Sequence, residues 1–109
     1  MAYSTAAQAR EYMPKVTSTI RADADLLKDI ENSDNSIIKP ILSKQYDLTD
    51  STITSNTTFI EFSARCGALQ CMKVIYGANK QSGLKPDIEQ LEKEVDEMKR
   101  QFMVGGYRL

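Results

Sequence analysis

Three groups of side chains in this sequence are able to do chemistry, and their types decide what that chemistry would be. Six carboxylates fall between Asp87 and Glu97, close enough along the chain to hold a cation or to work as an acid and base pair. They interleave with Lys93 and run on into Lys99 and Arg100, which is the composition of a solvated helix face, and no oxygen-rich loop with a turn glycine accompanies them. Ser51, Thr52, Thr54, Ser55, Thr57 and Thr58 supply hydroxyls, but the chain has no His, the usual base that makes a hydroxyl nucleophilic. Cys66 and Cys71 are about 140° apart around a helix of 3.6 residues per turn, so the thiols diverge and cannot bridge each other. No CxxC or Cys/His cluster offers a zinc site, and buried, inert thiols in a reducing compartment remain as the reading. Gly83 and the Gly105-Gly106 pair match no phosphate-binding loop. The expectation is a protein without catalytic residues, metal or cofactor.

The elements that carry these residues must fit into 109 residues, which is one small domain whose core would gain from oligomerisation. Fourteen Lys and Arg against fifteen Asp and Glu leave a net charge of −1, so the chain has no broad positive field for duplex DNA. Residues 1–10 lack the apolar core of a signal peptide, and no apolar run approaches the roughly twenty residues that span a bilayer. These features lead us to expect a soluble protein made in the cytosol, with no membrane partner.

Hydrophobic spacing predicts an all-α fold: a small helical domain with a short N-terminal helix, three longer helices and a flexible C-terminal tail. Ser4 or Thr5 caps the first helix, which Pro14 stops, and the β-branched residues of 15–19 read as an extended connector. The second helix starts near Ala22 or Asp23 and carries Leu26, Leu27, Ile30, Ile37, Ile38, Ile41, Leu42 and Tyr46. Residues 32–36 are weak helix formers, and Pro40 lacks a backbone donor. The expectation is a long helix kinked near Pro40, with a break near Asn35 as the alternative.

Residues 48–58 are polar around a single Ile53 and read as a long exposed loop, or a small β-excursion near 52–54. Residues 59–76 are apolar on most sides, so that helix is central in its domain or covered by neighbouring subunits, and Ala64, Gly67 and Ala68 leave room for a close neighbour. In the last helix Ile88, Leu91, Val95, Met98 and Phe102 form one stripe by steps of three and four, with Glu89–Lys93 and Asp96–Arg100 as supporting pairs. The partition is a helical domain over 1–104 and a tail over 105–109, where Tyr107, Arg108 and Leu109 have the composition of an anchor for another protein.

Tyr12-Met13-Pro14, the run Asp25-Leu26-Leu27-Lys28-Asp29-Ile30-Glu31 and the Ile-Leu-x-x-x-Tyr-Asp of 41–47 precede a loop, an apolar helix and a charged last helix. In this order the chain resembles the head-tail connector, or adaptor, proteins of tailed bacteriophages. The resemblance implies a non-enzymatic virion protein, made in the host cytoplasm and placed at the neck under the portal vertex. There it would form a homo-oligomeric ring of about twelve subunits with DNA passing through as a non-specific neighbour. It implies portal binding by Phe102, Met103, Val104, Tyr107, Arg108 and Leu109, and contact with a neck or tail protein by Asp50, Ser51, Thr52, Ile53, Thr54, Ser55 and Asn56. A small helical DNA-packaging or regulatory subunit and a cytosolic coiled-coil interaction protein are the alternatives. The first would require a basic recognition helix, which no segment supplies.

Overall fold

The computed structural model describes residues 2–106 and 109. Every regular element among them is helical: α1 (Ala6–Arg10), α2 (Asp23–Ser33), a π turn (Asp34–Ile38), α3 (Lys39–Leu42), α4 (Ser51–Thr54), α5 (Thr57–Ala78) and α6 (Lys85–Met103). No helix of the described residues is long and apolar enough to cross a membrane.

The apolar helix α5 is the centre of the domain, packed on α2, α6 and α1. Phe59, Phe62, Cys66, Ala68, Cys71 and Met72 along it are all buried. Gly67 sets the spacing of α2 against α5: a Cβ at this position would stand 2.5 Å from Ile30 Cγ1 and 3.1 Å from Ile30 Cα. On the other side α6 runs antiparallel to α5. Lys73 Nζ meets Glu92 Oε2 at 2.7 Å, Arg65 Nη1 lies 3.5 Å from Met98 Sδ, and the rings of Phe62 and Phe102 stand 4.9 Å apart. The stripe of the last helix is thus used inside the domain, with Leu91, Val95, Met98 and Phe102 buried. Its charged face pairs differently from the spacing expectation. Arg100 bonds Glu97 at 2.6 Å instead of Asp96, and Asp96 lies 4.0 Å from Lys99.

Residues 23–42 stay helical, as the continuous-helix reading expected, and the alternative break near Asn35 is absent. The hydroxyls of Ser33 and Ser36 donate to the carbonyls of Ile30 and Asn32 at 2.9 Å each, so these weak helix formers bond back to the preceding turn. The strain that was expected near Pro40 is taken up by the π turn just before it. There the Lys39 N–H reaches the Asp34 carbonyl, one residue further back than in an α-helix. The fully buried positions explain why the wider turn fits. Leu26, Ile30, Asp34, Ile38 and Leu42 recur every fourth residue, and each such step drifts about 40° around an α-helix. A turn that absorbs an extra residue takes part of that drift back and keeps the stripe facing inward, against α5 from α2 and the π turn and against α6 from α3.

Two other segments depart from the sequence reading. Residues 48–58 form no long loop and no β-excursion: Asp50 accepts the Thr52 N–H at 2.9 Å and starts α4, and Asn56 accepts the Thr58 N–H at 2.9 Å and starts α5. The polar side chains that argued against helix interiors serve here as caps. The connector after α1 is a series of turns, because Val16 is buried and the Arg10 guanidinium gathers it. That side chain donates to Val16 O at 3.0 Å, Arg21 O at 2.6 Å and Asp23 Oδ1 at 2.7 Å. Thr5 and Gln8 close a reciprocal cap on α1, as the Ser/Thr start suggested.

Candidate docking end of the bundle

The residues proposed from sequence as contact sites fall into three environments. Phe102 is 1% exposed against Phe62, so it belongs to the core and cannot reach a partner. This corrects its reading as a docking residue: the spacing that puts Phe102 on the α6 stripe also sends it inward. Met103 and Val104, the next two residues, are each 67% exposed, the most exposed large apolar side chains among the described residues. Gly105, at φ 74, closes α6 by donating to Phe102 O at 3.3 Å, and Gly106 donates to Gln101 O at 2.7 Å. The tail does not simply hang free: Leu109 is half buried against the core cluster. Tyr107 and Arg108 lie outside the described residues.

In the segment 50–56, Ser51, Thr52 and Ser55 are exposed on α4, whereas Ile53 turns inward and packs against the core. Asp50 and Asn56 serve as helix caps. Just before α4, Asp47 accepts from both the N–H and the hydroxyl of Thr49, and these bonds hold its carboxyl below the usual carboxylate range.

The tertiary structure puts these two segments towards the same end of the bundle, although the sequence reading gave them to different partners. Because α5 and α6 are antiparallel, the end of α6 lies beside the start of α5, and α4 immediately precedes that start. α4 packs on α5 and not on α6. Gln45, in the turn after α3, fastens the end of α6 by donating from Nε2 to Phe102 O at 2.9 Å. Met103 and Val104 are exposed just past that bond. A cleft of 440 Å³ continues along the same side between α5 and α6, lined by Thr58, Glu61, Arg65, Lys93, Glu94 and Met98 among others. Arg65 crosses its floor with its guanidinium 4.6 Å from the Tyr12 ring centre and 3.8 Å from Glu61.

Chemistry at the other sequence candidates is muted by placement. Cys66 and Cys71 are free and buried, and burial pushes both thiols up to about 12, far from the thiolate that a nucleophile needs. The carboxylates of α6 are spread along its outer face. Among the described residues no group of three His, Cys, Asp or Glu side chains comes together as a metal site requires. The polar centre that sequence reasoning missed is Asp34, which joins Ser63 and Ser4 in a buried hydrogen-bonded chain. Its signal was the every-fourth stripe from Leu26 to Leu42, with a carboxylate at the middle position.

Comparison of the chain with family models, with curated proteins and with solved structures gives no match.

Proposed function

We propose that this protein is a structural component of a tailed-phage virion, a head-tail connector. Its copies would close into a ring between the portal and the neck or tail, around the transiting DNA. The observation that carries the reading is the exposed apolar pair Met103 and Val104 at the end of α6 on an all-helical subunit. An apolar pair held on a capped helix end, with Tyr107, Arg108 and Leu109 following in sequence, has the composition of an anchor for a protein groove. In this proposal the portal contact is made by Met103, Val104 and the tail. The exposed hydroxyls of Ser51, Thr52 and Ser55 are the contact offered to a neck or tail protein. The net charge of −1 suits a subunit past which DNA slides, since tight phosphate binding would stall it.

The coiled-coil alternative has less to support it, because Leu91, Val95, Met98 and Phe102 are already buried within the domain. Pairing through that stripe would require α6 to leave α5. Mass measurement of the purified protein, alone and mixed with portal, tests the proposal. A closed ring or a portal-bound species is expected, and a stable monomer indifferent to portal would refute it. Replacing Met103 and Val104 by Asp should abolish portal attachment while circular dichroism stays unchanged, since both side chains lie outside the core. Undiminished attachment would remove the bundle end from the proposal.

A further inference from the structure

Among the described residues Asp34 is a buried carboxylate, 1% exposed, with no Lys or Arg paired to it. Its partners are neutral. The Tyr3 N–H donates to Oδ2 at 2.8 Å, and the Ser63 hydroxyl donates to Oδ1 at 2.8 Å. Ser63 Oγ also lies 2.8 Å from Ser4 Oγ. Residues 2–4 precede the first helix and have no backbone-to-backbone hydrogen bond among the described residues, so these side-chain links are what fasten them. Tyr3 also meets Phe59 edge-on, with ring centroids 5.0 Å apart.

This short segment is also a wall between two clefts. On one side Ala2 and Tyr3 face Leu48 and Thr54 across 320 Å³. On the other, Ala2, Ser4 and Thr5 face Ala24 and Leu27 of α2 across 470 Å³. We propose that residues 2–5 are a strap pinned by Asp34, closed while the carboxyl is protonated and loosened when it ionises, so that opening joins the two clefts into one groove over Phe59 and Ser63.

The direction follows from the cost of burying charge. A carboxylate moved out of water loses hydration that two neutral donors only partly replace, whereas a carboxylic acid accepts from Tyr3 and donates to Ser63 at little cost. Among the described residues the charged and titratable groups that face Asp34 are Lys39 from α3, the Tyr3 phenol from the strap and the Cys66 thiol from α5. Burial outweighs the two hydrogen bonds and the Lys39 charge, and pushes Asp34 above the usual carboxylate range. Opening hydrates the carboxyl and returns it towards that range. The closed state therefore holds the proton more tightly, and rising pH favours the open one.

Amide hydrogen exchange of the intact protein by NMR, corrected for intrinsic rates, tests this between pH 4.5 and 8. A severalfold loss of protection at Tyr3 and Ser4 with rising pH is expected, while the amides of α5 hold theirs. Asp34→Asn keeps an acceptor for Tyr3 and a polar partner for Ser63 without titrating, so it should hold the strap closed and flatten the pH dependence. Corrected protection at Tyr3 that does not change with pH would overturn the proposal. So would a loss that merely follows global unfolding, or a wild-type pH response in Asp34→Asn.

Discussion

Replacing Gly67 by Ala is the sharpest test of how this fold is held together, because two opposing effects can be weighed from the coordinates. The added Cβ would meet Ile30 Cγ1 at 2.5 Å, Ile30 Cα at 3.1 Å and Ile30 Cβ at 3.2 Å. Carbon atoms pack best at about 3.5–4.0 Å, so α2 and α5 must part by roughly 0.5–1 Å at their closest point. Ile30 is fully buried, and one of the crowded atoms is backbone, so a rotamer change does not relieve the clash. Overpacking of this kind costs about 1–3 kcal/mol, and exchanging Gly for Ala inside a helix returns about 1 kcal/mol. A net loss of about 0–2 kcal/mol follows, to be read as a lower urea midpoint with unchanged slope. Gly77 supplies the control, since it lies in the same helix with nothing within 4 Å of its would-be Cβ. Gly77→Ala should therefore gain about 0.5–1 kcal/mol. Ile30→Ala removes Cγ1, so in combination with Gly67→Ala it should cost clearly less than the sum of the two single changes. A Gly67→Ala protein that gains stability as Gly77→Ala does, or a double variant that is strictly additive, would refute the close-approach reasoning.

Further outcomes follow from other buried groups. Arg21 donates to Asp29 through Nε at 3.0 Å and Nη2 at 2.8 Å, and Asp29 is 3% exposed, so Arg21→Ala should cost about 1.5–3 kcal/mol by denaturant unfolding. Phe102→Ala should cost about 3–5 kcal/mol, which a side chain free to dock elsewhere would not, and loss of only a few tenths would return Phe102 to the surface. Thiol reagents should label Cys66 and Cys71 only as the protein unfolds, and rapid labelling of the native state would contradict their burial. The same thiols titrate near 9 when unfolded and near 12 when folded, so the stability they contribute is whole below pH 9 and drains away as pH rises towards 12. Replacing both by Ala should flatten the alkaline limb of a plot of stability against pH.

Much of the fold was legible because helix signals are local. The start of α2 beside Ala22, Pro86 in the first turn of α6 and Gly105 past its end depend on backbone chemistry within one turn, and the structure keeps each of them. The polar stretch around α4 misled because Asp50 and Asn56 favour both loops and helix starts. Which of the two they serve depends on whether the next turn has somewhere to pack, and Ile53 does. The candidate contact residues were less legible. Phe102 and Met103 are adjacent and both apolar, yet they part company on α6, one on the stripe facing Phe62 and the other on the open side.

The sequence by itself determined that this protein is helical, that α5 is central and that the α6 stripe faces a neighbour, since periodicity and composition encode which side of a helix must leave water. Only the tertiary structure decided that the neighbour is α5 of the same domain, that residues 51–54 form a short helix packed on α5, and that a carboxylate is buried in the α2 stripe. Those are facts about which surfaces meet, and meeting depends on long-range packing that no local window of residues contains. Asp34 shows the difference most directly. Read locally, it is a weak helix former beside Asn35; in the fold it is the buried link that fastens the start of the chain to α5.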